Sequence, residues 1–151
     1  MLFLKLIENL SFFADFSTEE KQKLLETDSY FATYQDGEYL IREGDEDRSL
    51  FILMDGQVQV TMNDRPNAPL ATLQRESVFG EIAFLTRGKR SANVIAHGVA
   101  KVFKLDGDLF QRLPPEMQTK IQSRLIHLLV NRLEKHNHQL TGHNHIALTP
   151  E

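Results

Sequence analysis

The sequence predicts an α+β fold: an antiparallel β jelly-roll barrel flanked by an N-terminal helical segment and C-terminal helices. Three observations predict it. Apolar residues recur at helical spacing at both ends of the chain, short period-two apolar runs fill residues 30–105, and Gly turns separate those runs.

Residues 2–10 bring Leu4, Leu6, Ile7 and Leu10 together for burial on a first helix. Ser17 and Glu20 form a capping box, the Ser17 hydroxyl accepting from the Glu20 N–H while Glu20 reaches back. A short helix runs from there to about Thr27, with Leu24 and Leu25 inward. The period then changes to two. Residues 30–34 read as a strand, Asp36-Gly37 as a turn, and residues 38–42 as a second strand closed by Gly44-Asp45. Residues 50–54 are a continuous apolar run, and Asp55-Gly56 reads as the turn after it. Val58, Val60 and Met62 alternate with polar neighbours, residues 63–69 are a loop, and residues 70–73 are another short strand. Residues 94–96 and 99–105 supply two more strands, parted by His97-Gly98.

From Asp108 the pattern is helical again. Pro114-Pro115 ends one helix and starts the next, because proline fits a first helical turn but not an interior. The last helix, residues 115–140, repeats Ile126, Leu133 and Leu140 every seven positions, with Leu129 between the first two. That is a short seam of the coiled-coil kind, and packing of the helix on its own barrel accounts for its earlier half. Residues 141–151 read as a flexible tail, so residues 1–140 form one domain.

The totals exclude several function classes. A net charge of −4 over 151 residues argues against a domain that binds DNA through its overall field. The absence of Cys removes disulfides, thiolate metal sites and a Cys nucleophile. Lys5, Glu8 and Asp15 interrupt residues 1–16, which lack a signal-peptide cleavage site, and no stretch approaches the ~20 apolar residues a span requires. The expectation is a soluble cytoplasmic chain with no direct nucleic-acid contact and no membrane partner. His136 and His138, then His143 and His145, form two His-x-His pairs with no acidic partner close in sequence, so no metal site is expected. A metal-dependent jelly-roll enzyme needs His ligands on its strands, and His97 is alone there. With no nucleophile motif either, the chain does not read as an enzyme.

The informative stretch is Phe79-Gly80-Glu81-Ile82-Ala83-Phe84-Leu85-Thr86-Arg87-Gly88-Lys89-Arg90-Ser91-Ala92-Asn93-Val94. Gly80 lets the backbone approach a ligand closely, because it has no Cβ. Residues 81–85 make one helical turn whose N–H groups face an anion. Arg90 adds a planar, permanently charged fork that matches phosphate oxygens. Glu81 repels phosphate, so its useful partner is a hydroxyl donor such as a sugar's. Each residue also has a plainer role in isolation: Arg90 as a loop arginine in a salt bridge, Glu81 as a helix-start acid, Arg87 and Lys89 as solvated charges.

Taken together, the stretch resembles the phosphate-binding cassette of the cyclic nucleotide-binding domain family, whose pattern is Phe-Gly-Glu-(Leu/Ile)-Ala-Leu followed by Pro-Arg-(Ala/Thr/Ser)-Ala-(Thr/Ser)-Val. Phe79 to Ala83 match the first half; Arg90, Ser91, Ala92 and Val94 match the second. The nine-residue step from Glu81 to Arg90 is that of the kinase regulatory subunits, and Gly37-Glu38, Gly44-Asp45 and Gly56 fit as well. Lys89 stands where Pro is common, Asn93 where Thr or Ser is usual, and Arg75-Glu76-Ser77 where Gly-Asp is commoner.

The resemblance implies a cyclic nucleotide sensor with cAMP, alternatively cGMP, as ligand and a cassette over residues 79–92. It implies that Arg90 binds the exocyclic phosphate oxygens with backbone N–H groups near Ala83 and Ser91, and that Ile82 and Ala92 complete the cassette. Glu81 is expected on the ribose 2′-hydroxyl and Gly80 against the sugar. Val60, Leu70, Ala71 and Leu73 are expected to line the base and ribose wall, and His136 and Asn137 to reach the purine. Family members dimerise through the last helix and use it as a lid, so a protein partner or a homodimer through that helix is implied. The alternative is a degenerate member that binds nothing and serves as an interaction or dimerisation module.

Overall fold

The computed structural model describes the backbone of residues 2–26 and 30–144 and the side chains of residues 4–26 and 31–135. Helix α1 (Leu2–Glu8) leads through a 3-10 turn (Ser11–Phe13) to α2 (Thr18–Glu26). The capping box forms as expected: the Ser17 N–H donates to Glu20 Oε1 at 2.9 Å and the Glu20 N–H to Ser17 Oγ at 3.1 Å. Phe13 is fully buried and meets Phe12, Phe16 and Phe103 edge-on, which seats this segment on the barrel wall.

The strands are β1 (Tyr30–Tyr34), β2 (Tyr39–Ile41), β3 (Leu50–Thr61), β4 (Ala71–Leu73), β5 (Val78–Phe79) and β6 (Asn93–Leu105). All pairings are antiparallel. The frame is the long pair of β3 and β6, which runs from Leu50 opposite Leu105 to Thr61 opposite Asn93 with a register shift around Asp55. β1 and β5 flank one half of this pair, β2 and β4 the other. One core cluster draws Phe51, Leu53, Phe79, Ala100 and Val102 from the first half and Leu40, Ile41, Val58, Val94 and Ala96 from the second. The two halves therefore face each other, and burying that shared apolar surface holds the jelly roll closed.

Two expected turns are not turns. Asp55-Gly56 lies inside β3 and His97-Gly98 inside β6, both of which run on unbroken. The register shifts around Asp55, where Asp55 faces Lys101 and Gln57 faces His97. Gly56 (φ +87°) and Gly98 (φ +79°) take the left-handed conformation that a bulge needs, at the point where the register shifts. A Cβ on Gly56 would sit 2.1 Å from the Val99 carbonyl oxygen, so the crossing strands also demand glycine.

Between β5 and β6 sits α3 (Glu81–Thr86), and after β6 comes α4 (Gly107–Phe110). Asp106 caps α4, its carboxylate accepting from the N–H groups of Asp108 and Leu109 at 2.7 and 3.4 Å. A second compact unit begins at Pro114, and its helix α5 starts at the expected proline and spans Pro115–Asn144. Residues 145–151 lie outside the described residues. In α5, Met117, Ile121 and Leu125 are buried at four-residue spacing, while Ile126, Val130 and Leu133 are 57%, 45% and 40% exposed.

Candidate functional site

β5 carries Phe79 into the core, its ring stacked on Phe51 at 5.2 Å between centroids. Gly80 then turns the chain at φ +81° into α3. A side chain at this position would collide with Arg90 Nη1 at 2.8 Å and the Ser49 carbonyl at 2.9 Å, so the glycine makes room for the arginine. The first intrahelical bond of α3 runs from the Phe84 N–H to the Gly80 carbonyl at 3.2 Å, which leaves the amides of Ile82 and Ala83 ahead of the helical ladder. Arg87 closes the helix at φ +61°, its N–H returning to the Ala83 carbonyl at 2.8 Å.

Arg90 lies 4% exposed between α3 and β6. Its backbone is stitched to the loop after β2: the Gly44 N–H donates to the Arg90 carbonyl, and the Arg90 N–H to the Asp45 carbonyl, both at 2.8 Å. Its guanidinium donates from Nη1 to the Gly80 carbonyl at 3.0 Å. From Nη2 it donates to Asp47 Oδ2 at 2.9 Å and to the Ser49 carbonyl at 2.7 Å. The Phe51 ring lies 5.9 Å below Cζ. A buried cation needs this compensation. Even so, the fork is incompletely used: Nη2 is saturated by two acceptors, while the buried Nε–H has no hydrogen-bond partner.

Asp47 has a half-exposed side chain. Partial burial works against its charge, but hydrogen bonds from Arg90 and Ser49 and the positive charges of Arg90 and Lys104 prevail, and its pKa is lowered below the ordinary carboxylate value.

The segment thus brings Gly80, Glu81, Ile82, Ala83 and Arg90 together at one end of α3. Ala83 is buried, Glu81 half-buried and Ile82 half-exposed; Ser91 is exposed and Ala92 half-buried on the way into β6. Val60 and Ala71 are paired across β3 and β4, Leu70 donates its N–H to the Val60 carbonyl at 2.7 Å, and Leu73 faces Val58. Leu70 is 59% exposed. His136 and Asn137 fall on the backbone of α5, and their side chains lie outside the described residues, as do those of His138 and His143. Asp47 was not among the residues singled out from sequence. Its only signal is the run Gly44-Asp45-Glu46-Asp47, and nothing local says which acid meets an arginine 43 positions later.

The profile of the cyclic nucleotide-binding domain family matches residues 31–114, more than half the chain. The chain belongs to that family. This cyclic nucleotide-binding domain is 38% identical over 104 residues to the bovine cyclic nucleotide-gated channel beta-1, covering 65% of the chain and 8% of the channel. It is 42% identical over 86 residues to the Drosophila melanogaster cGMP-dependent protein kinase, isozyme 1, covering 53% of the chain and 11% of the kinase. Among solved structures, cAMP-bound PfPKA-R superposes with a TM-score of 0.70 at 27% identity, covering 86% of this chain and 43% of that one. The domain thus spans about a tenth of the curated relatives it matches. Among the described residues no helix is long and apolar enough to cross a membrane.

Proposed function

We propose that this domain is a regulatory sensor that binds a cyclic nucleotide, cAMP or cGMP, performs no catalysis itself, and signals through α5 to a protein partner or a second copy. The observation that carries the reading is Arg90: a buried, fixed guanidinium beside the first turn of α3, with its Nε–H still lacking an acceptor. A singly charged cyclic phosphate meets that need, and the amides of Ile82 and Ala83 add donors with the favourable end of the helix dipole. Glu81, in the first turn of the same helix, takes a ribose hydroxyl. Ser91 and Ala92 close the cassette, while Val60, Leu70, Ala71 and Leu73 give the base an apolar wall. The relatives support the choice of ligand, being a cyclic nucleotide-gated channel, a cGMP-dependent kinase and a cAMP-bound protein.

Isothermal titration of cAMP and cGMP into the wild type and into Arg90→Ala tests this. The expected result is micromolar or tighter binding of at least one nucleotide, weakened at least tenfold by the substitution, about 1.4 kcal/mol. No heat with either nucleotide, in a chain shown by circular dichroism to be folded, removes the sensor reading and leaves an interaction module.

A further inference from the structure

Asn93 opens β6 and is 3% exposed, directly across the ladder from the buried Thr61 at the end of β3. Its amide meets three partners. Oδ1 accepts the Glu43 N–H at 2.8 Å, and Nδ2 donates to Asn63 Oδ1 at 2.9 Å and to Thr61 Oγ1 at 3.3 Å. The Asn63 N–H in turn donates to Glu43 Oε1 at 2.8 Å, so Asn93, Asn63 and Glu43 close a ring of hydrogen bonds. Both amide hydrogens and the carbonyl are used, which a single hydroxyl in this place cannot match.

The ring's position gives it a use. Glu43 begins the short loop that ends at Asp47, and that loop is held at three successive points: Glu43 by the Asn93 side chain, Gly44 and Asp45 by the Arg90 backbone, and Asp47 by the Arg90 guanidinium. Asp47 and the Ser49 carbonyl fix Nη2, and with it the direction in which Nε–H points. Asn63 begins the loop that leads to Leu70 and β4, so the same ring ties the apolar wall to the arginine. We propose that Asn93 is the positioning residue of the cassette: through Glu43 it sets the loop that presents Asp47 to Arg90, and so aims the guanidinium at the ligand. This rests on the nucleotide-binding reading above.

The test is a double-mutant cycle on the full chain, comparing wild type, Asn93→Ala, Asp47→Ala and the double variant. Each is measured for urea unfolding and for cAMP and cGMP affinity by titration calorimetry. Asn93→Ala is expected to raise Kd about five- to tenfold in the native background but less than about twofold once Asp47 is gone, with unfolding effects that are likewise less than additive. If Asn93→Ala does not fold, Asn93→Ser takes its place in the cycle. Additive effects in both measurements overturn the proposal, because a merely structural residue does not act through Asp47. If the wild type binds neither nucleotide, the sensor reading fails by itself, and the unfolding cycle still decides: less-than-additive upholds the Asn93–Asp47 link, additive overturns it.

Discussion

Among single residues, Asp47 has the most to reveal under titration. Its carboxyl titrates below the ordinary value in the folded chain, opposed by partial burial but driven by its bonds to Arg90 and Ser49. A depressed carboxylate binds its proton more readily when unfolded, so its contribution to stability is complete at neutral pH. That contribution fades as pH falls below about 4, the ordinary aspartate range, toward the lower folded value. Urea unfolding between pH 7 and pH 3 is therefore expected to show a larger acid loss in wild type than in Asp47→Asn, which starts lower and has one fewer group to titrate. Parallel pH profiles would mean that the Asp47–Arg90 pair contributes nothing to folding. The starting deficit of the variant should be about 1–2 kcal/mol, since the Gly80 and Ser49 carbonyls still serve the guanidinium.

Within the strands, the two bulge glycines make a matched pair. Both sit at positive φ, but a Cβ at Gly56 strikes the Val99 carbonyl at 2.1 Å while one at Gly98 meets nothing within 4 Å. Gly98→Ala should therefore cost only the left-handed backbone penalty, about 1–2 kcal/mol. Gly56→Ala should cost about 2–4 kcal/mol because the strands must also move apart. Equal losses on urea unfolding would show that the close crossing yields freely. The same glycines mark where the sequence is ambiguous. Period-two runs announce the strands, and the Ser17–Glu20 spacing announces a helix start that the hydrogen bonds reproduce. A glycine beside a charged residue, by contrast, reads alike as a turn or a bulge, and only the pairing partner decides. The cassette stands out because its residues are contiguous. Asp47 and the ring around Asn93 join residues 20 to 50 positions apart, and hydrogen bonds at that distance leave no periodic trace in the chain.

For the molecule as a whole, α5 presents Ile126, Val130 and Leu133 at exposures of 57%, 45% and 40%, a row the period-seven reading anticipates in part. If output passes through a second copy, sedimentation velocity should show concentration-dependent dimers that Leu133→Lys abolishes while nucleotide affinity changes less than about twofold. A monomer at every concentration would direct the output to a different protein. The frame also has a property beyond stability. Thr61 and Asn93 are ladder partners, so residues 62–92 begin and end at neighbouring points of the frame, and between those points β4 and β5 pair back onto β3. The loop between Arg65 and Leu70 within this segment can lengthen, shorten or be exchanged for another with little demand on the strands on either side. Evolution can therefore reshape the rim beside β4 by changing that loop alone, while the long pairing of β3 with β6 is inherited unchanged.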